Sequence, residues 1–229
     1  MDDRCVLLFV KYPEEGKVKK RLQAGLKDVN IVALYQKFVL DILLTLEKLN
    51  TKLYICFSPE NSEAKFIKWL GNKYSYIPQK GIDLGARMKN CFIEAFSRKY
   101  KRVIIVGSDT PDLPCEYIEN TFSGLESNDV VIGPATDGGY YLLGFRFDKF
   151  VPEIFEGIEW STDKVFKDTL AILDRSKKKT CILPEWNDID VHEDLINFIK
   201  RNKCLGKSST YSFLLNCNSL QTYFLEENG

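Results

Sequence analysis

The sequence predicts an α/β fold in which a mostly parallel sheet carries helices on both faces. Three observations lead there. Short apolar runs of strand length alternate with longer segments of helical period through most of the chain. Several of those runs are apolar at every position, as expected of strands buried on both sides. The chain has 229 residues, of which 45% are hydrophobic, enough for one large core.

In chain order, Cys5 to Val10 reads as the first strand, followed by a polar, basic loop from Lys11 to Arg21. Ile31, Leu34, Tyr35, Phe38, Ile42, Leu43 and Leu46 recur at helical spacing. Leu53 to Phe57 is the second strand, ended by Ser58-Pro59, and Ala64 to Leu70 is a short helix closed by Gly71-Asn72. Ser75 to Ile77 reads as a third strand. Leu84, Met88, Cys91, Phe92 and Phe96 mark another amphipathic helix. Val103 to Val106 is an apolar strand, Ile118 to Leu125 a helix, and Val130 to Ile132 and Tyr140 to Phe145 are two further strands. Val165 to Leu173 is helical, Cys181 to Leu183 a strand, and Leu195 to Ile199 lies in the expected final helix. These elements place a single domain over residues 1–202. Residues 203–229, polar with apolar islands, form a C-terminal extension to which the sequence assigns no role.

Composition excludes several classes of function. Formal net charge is zero, so the chain lacks the basic excess of a nucleic-acid binder. The apolar run from Cys5 to Val10 is too short for a signal segment or a membrane span. Seven scattered cysteines without a CxxC pair argue against a disulfide framework or a zinc site and suit a reducing, cytoplasmic setting. The only histidine, His192, sits at an expected helix start and should be solvated, which leaves little basis for a Ser-His-Asp mechanism.

Open parallel sheets bind ligands beyond the carboxyl ends of their strands, so the residues just past each apolar run matter most. After the first strand, Lys17, Lys19, Lys20 and Arg21 cluster beside Gly16, a pattern that suits phosphate oxygens although it is not a Walker A loop. A solvated basic loop opening a helix is the plainer explanation of that run. After the Val103–Val106 strand comes Gly107-Ser108-Asp109-Thr110-Pro111-Asp112. A carboxylate there can hold a hard divalent cation, Mg²⁺ or Mn²⁺. Asp109 is expected at the metal, whereas Asp112 is expected to cap the next helix near Pro114. The run Asp137-Gly138-Gly139-Tyr140 reads as a hairpin turn whose acid and backbone can also meet a ligand hydroxyl. Asp188 and Asp190 flank Ile189 and share one side of an extended segment. One of them, taken as Asp190, could meet Asp109; Asp190 or Glu193 could equally cap the following helix.

Taken together, these segments resemble a family of bacterial and archaeal glycosyltransferases formerly described only as a domain of unknown function, DUF2064. The resemblance rests on Lys11-Tyr12-Pro13 with Gly16-Lys17-Val18-Lys19 and Arg21-Leu22; Gln79 to Met88, including Arg87; Gly107 to Leu113; Gly133-Pro134-Ala135 with Asp137 to Gly144; Trp160-Ser161-Thr162; and Asp188-Ile189-Asp190. It runs from about Arg4 to Asn202. Glu15, Lys20 and Val191 depart from the family pattern without removing a charged candidate.

The resemblance implies the nucleotide-diphospho-sugar transferase (GT-A, Rossmann-like) fold, with a nucleotide-binding first half and an acceptor-binding second half. The expected activity is metal-dependent transfer of a sugar from a nucleotide-sugar to a small-molecule acceptor. The alternatives are nucleotidyl transfer from a nucleoside triphosphate with release of pyrophosphate, and a non-catalytic nucleotide-binding protein. In the transferase reading Asp109 and Asp190 hold Mg²⁺ or Mn²⁺, and Gly16, Lys17, Lys19, Arg21 and Arg87 meet the phosphates. Asp137, Gly138, Gly139 and Tyr140 face the sugar or acceptor, with Asp109 and Asp137 as the catalytic pair.

Overall fold

A computed structural model describes residues 3–26, 28–203, 208–221 and 223. Seven strands form one sheet: β1 (Arg4–Lys11), β2 (Lys52–Ser58), β3 (Ser75–Pro78), β4 (Arg102–Gly107), β5 (Val130–Pro134), β6 (Tyr140–Arg146) and β7 (Thr180–Ile182). Their order is β3-β2-β1-β4-β6-β5-β7. The pairs β1–β2, β1–β4, β2–β3 and β5–β7 are parallel, and β6 runs antiparallel between β4 and β5. Every strand expected from an apolar run is present. The inserted strand β6 follows from the tight Asp137-Gly138 turn, which returns the chain beside β5 and hands it on to β4.

Alternate side chains of β1 feed two cores. Val6, Leu8 and Val10 pack with α2 (Ile31–Leu46), α3 (Glu63–Leu70), α5 (Cys115–Ser127) and α7 (His192–Asn202). Cys5 and Leu7 face α4 (Leu84–Ser97), α6 (Val165–Arg175) and the segment from Val151 to Phe155. Each fully buried Leu, Ile or Phe contributes about 1.5–3 kcal/mol relative to exposure. The helices on the ligand side start on capping residues. Asn30 accepts from Ala33 N–H at 2.9 Å to open α2, and Asp83 accepts from Ala86 N–H at 2.7 Å to open α4.

Three sequence expectations are corrected by the packing. The helix over His192–Asn202 is not the last, because α8 (Ser209–Leu214) follows. Asp41 of α2, almost fully buried, accepts the backbone N–H groups of Ser209 and Thr210 at 2.7 Å and the Ser208 hydroxyl. Tyr211, Leu214, Cys217 and Leu220 join the same core as α2. His192 is half-buried, not solvated, because its ring meets Tyr223 edge-on at 6.0 Å. Asp112 caps nothing: it pairs with Arg201 of α7 and accepts from Asn202 Nδ2 at 2.7 Å, while Pro114 precedes α5 without a side-chain cap. Four cysteines, Cys5, Cys56, Cys91 and Cys217, are buried and free, as small core residues; Cys204 lies outside the described residues. Among the described residues no helix is long and apolar enough to cross a membrane.

Candidate active site

The carboxyl ends of β1, β4, β5 and β7 open onto one edge, and backbone hydrogen bonds tie their exits together. Ile189 N–H donates to the Asp109 carbonyl at 2.9 Å, which fixes the Asp188–Asp190 segment against the exit of β4. Past β7, Trp186 N–H donates to the Pro134 carbonyl at 3.1 Å and Thr136 N–H to the Trp186 carbonyl at 3.3 Å. The exits of β5 and β7 are thereby joined, and Asp137 comes beside Asp188. Tyr35 of α2 links the other two exits. Its buried hydroxyl accepts from Lys11 N–H at 3.1 Å and shares a 2.9 Å hydrogen bond with Ser108 Oγ.

Four carboxylates and one lysine converge there. Oxygens of Asp137, Asp188 and Asp190 lie within 4.8 Å of one another. Lys19 Nζ lies 2.6 Å from Asp190 Oδ1 and 2.9 Å from Asp109 Oδ1. The lysine side chain is only 5% exposed, whereas Asp109 is 43% exposed and faces the edge. Burial pulls the Lys19 ammonium pKa down, but the charges and hydrogen bonds of Asp109 and Asp190 outweigh it, so Lys19 stays protonated. The Asp188 carboxyl is pushed up to about 7, first by burial and then by the nearby charges of Asp137 and Asp190. The donors are carboxylate oxygens, with no nitrogen or sulfur among them, the set that suits a hard divalent cation.

Beside the acids lies a positive patch. The Lys11 ammonium is depressed by burial and then by the charges of Lys20, Arg87 and Lys17, so four cations share one region of the edge. Arg87 is steadied by a 3.2 Å hydrogen bond from Nε to the Gly81 carbonyl. Gly16, at φ 66°, and Lys17 are exposed in the loop, and Arg21 is exposed on α1 (Lys20–Gly25). Lys19 is therefore the one member of the basic run drawn inward, to the acids. Lys11 joins the patch without having been singled out, because a cation at the last position of a strand carries no local mark.

Asp137 holds its own turn, accepting Gly139 N–H at 2.9 Å. Gly138 has φ 87°, and a Cβ there would stand 2.2 Å from the Asp163 carbonyl oxygen, so both the conformation and the approach of the Trp160–Val165 segment require glycine. The same segment lays Trp160 over Gly85 at the start of α4 and edge-on to Tyr140 at 6.5 Å. The Tyr140 hydroxyl points at Met88 Sδ, 4.0 Å away, and Tyr141 packs inside with its hydroxyl donating to the Pro184 carbonyl at 3.0 Å. The edge therefore gathers Asp109, Asp190, Asp137 and Lys19 in one cluster, with Asp188 as a fourth acid. Its sequence signals were the i, i+2 spacing of Asp188 and Asp190 and the place of Asp188-Ile189-Asp190 among the segments that carry the resemblance.

The strand order, with one antiparallel strand inside an otherwise parallel sheet and acids at its carboxyl edge, defines a protein of the nucleotide-diphospho-sugar transferase fold. Residues 42–162 match the family described as "Uncharacterized protein conserved in bacteria (DUF2064)". A crystal structure from Desulfovibrio desulfuricans G20, described as a "putative nucleotide-diphospho-sugar transferase", is 40% identical, with 99% of this chain and 98% of that chain covered and a TM-score of 0.91. This chain belongs to the DUF2064 family. Two more distant structures share the fold alone. CMP:2-keto-3-deoxy-manno-octonic acid synthetase complexed with CTP is 9% identical, with 85% of this chain and 96% of that chain covered at a TM-score of 0.55. Rv0371c from Mycobacterium tuberculosis H37Rv, complexed with manganese, is also 9% identical, with 87% and 98% covered at a TM-score of 0.53. No curated protein matches the chain.

Proposed function

We propose that the protein is a metal-dependent transferase that takes a sugar from a nucleotide-sugar and passes it to a small acceptor hydroxyl. The observation that carries the reading is the joining of a carboxylate cluster to a four-cation patch at the carboxyl edge of the sheet. Anionic and cationic groups side by side suit a diphosphate bridged to a divalent ion. Mg²⁺ or Mn²⁺ would be held by Asp109 and Asp190 and would supply charge stabilisation to the departing phosphate. The manganese reported with Rv0371c agrees with this chemistry.

The chain's own residues supply the rest. Lys17, Lys20, Arg87 and Lys11 bind the phosphates and spread their charge as the donor's sugar–oxygen bond breaks. Arg21, exposed beside them on α1, meets the outer phosphate oxygens. Gly16 lets the backbone of that loop approach the phosphates closely. Asp137, exposed at the open side of the cluster, accepts the acceptor's hydroxyl proton or orients that hydroxyl. Gly138 and Gly139 hold it there. Tyr140 acts through its ring, which supports Trp160 at the wall of the acceptor space.

Nucleotidyl transfer is the second reading, favoured by the breadth of the cation patch, which suits a triphosphate. The two differ in what leaves. Sugar transfer releases a nucleoside diphosphate, and nucleotidyl transfer releases pyrophosphate. Incubation with a panel of nucleotide-sugars or triphosphates and Mn²⁺, followed by phosphorus NMR, separates them. Nucleoside diphosphate formed from a nucleotide-sugar supports the first reading; pyrophosphate formed only from a triphosphate replaces it with the second.

A further inference from the structure

The Asp109–Asp190 gap already contains a cation. Lys19 Nζ stands 2.9 Å from one carboxylate, 2.6 Å from the other and 5.9 Å from the centroid of the Phe38 ring, and the side chain is 5% exposed. Mg²⁺ held by the same two oxygens would need ligand distances of about 2.0–2.1 Å. The two cations cannot share the gap. We propose that Lys19 is a specificity-determining residue, which makes the site select a metal bound together with a phosphate-bearing ligand over the metal alone. The inference rests on the transferase reading and concerns the order and coupling of binding at that site.

The argument is one of charge. If a metal ion enters alone, the buried ammonium must leave two carboxylates, and beside the acids at this edge lies the positive patch of Lys17, Lys20 and Arg87 around Lys11. A buried cation without a partner is costly, and like charges add to that cost. If a diphosphate arrives with the metal, the displaced ammonium gains phosphate oxygens as partners in place of the carboxylates it gives up. By linkage, whatever factor the nucleotide adds to metal affinity, the metal adds to nucleotide affinity.

The probe is Mn²⁺, whose free concentration is read by electron paramagnetic resonance, titrated into the full chain alone and with each of several nucleoside diphosphates at saturation. Wild-type protein should bind Mn²⁺ at least tenfold tighter with the preferred diphosphate than without it. Lys19→Met removes the competing charge and keeps the length of the side chain. It should bind Mn²⁺ alone at least tenfold tighter than wild type, and its coupling to the diphosphate should fall below threefold. Lys17→Met, at an exposed position in the same loop, should weaken the diphosphate and leave affinity for Mn²⁺ alone unchanged. Wild-type coupling below threefold overturns the inference without reference to any variant, so it stays decidable if Lys19→Met does not fold. Unchanged or weaker binding of Mn²⁺ by folded Lys19→Met overturns it as well. So does tight binding of Mn²⁺ alone to wild type that depends on Asp137 and Asp188, which would place the ion on the far side of Asp190. A wild-type chain that binds neither Mn²⁺ nor any diphosphate contradicts the transferase reading and the inference together; the other outcomes leave that reading in place.

Discussion

Asp112 provides a quantitative test of the division between scaffold and site. Its carboxylate is 6% exposed, pairs with the Arg201 guanidinium and accepts from the Asn202 amide at 2.7 Å. Asp112→Ala would remove the charged acceptor at the contact between the β4 exit and α7, leaving Asn202 Nδ2 with the Phe198 carbonyl at 2.9 Å. Removing one partner of a buried pair costs roughly 3–5 kcal/mol. Arg201 is 27% exposed and keeps a 3.4 Å contact to the Asn187 carbonyl, so part of its charge can be rehydrated. That places the expected loss at the lower end, about 3 kcal/mol. For a chain of this length each kcal/mol lowers Tm by about 2–4 °C, which gives a fall of about 6–12 °C. Scanning fluorimetry reads the fall directly. Below the new transition, Mn²⁺ and nucleotide should still bind with wild-type affinity. A fall under 2 °C, or loss of Mn²⁺–nucleotide binding in a folded variant, would refute the structural assignment and return Asp112 to the site.

Further outcomes follow from other features. Gly138→Ala must place its Cβ against the Asp163 backbone at φ 87°; it should cost at least 1–3 kcal/mol in backbone strain alone and reduce turnover, and an unchanged Tm by fluorimetry would count against the close approach. The Asp188 carboxyl is raised by burial from 3.8 to about 7, so the folded state holds a proton that the unfolded chain has released. Metal-free stability should therefore fall as pH rises from about 4 to about 7 and level off above, and Asp188→Asn should flatten that slope in denaturant titrations; an unchanged slope would contradict it. Replacing Lys17 and Arg87 together by Ala should weaken nucleoside diphosphate at least tenfold and leave the bare nucleoside within twofold, measured calorimetrically. Equal losses would make the patch structural.

Much of this was legible in the residues. All seven strands coincide with the expected runs; for β1, β2, β4, β5 and β6 burial on both faces leaves a local signature, whereas the edge strands β3 and β7 are short and only partly buried. The Asp137-Gly138 pair marked a tight turn, but nothing local said that the returning strand would insert between β4 and β5. Asp112 was misread because an acid ahead of Pro114 has the local look of a cap, while its partner Arg201 stands 89 residues away. Lys19 looked like one cation among four in a solvated loop. What distinguishes it is a pair of carboxylates delivered by β4 and by the segment after β7, visible only once Ile189 N–H has bonded to the Asp109 carbonyl. Position along the edge was readable; convergence across it was not.

The central claim is that nucleotide is held at this edge through a divalent ion on Asp109 and Asp190. Calorimetric titration of nucleoside diphosphates into wild type and Asp109→Asn, each with Mn²⁺ and with EDTA, tests it most directly. Wild type should bind one diphosphate with Mn²⁺ and at least tenfold more weakly in EDTA, while Asp109→Asn, assayed below its own unfolding transition, should bind weakly in both. Equal affinity in Mn²⁺ and EDTA, or a variant that keeps the full response to Mn²⁺, would contradict the account.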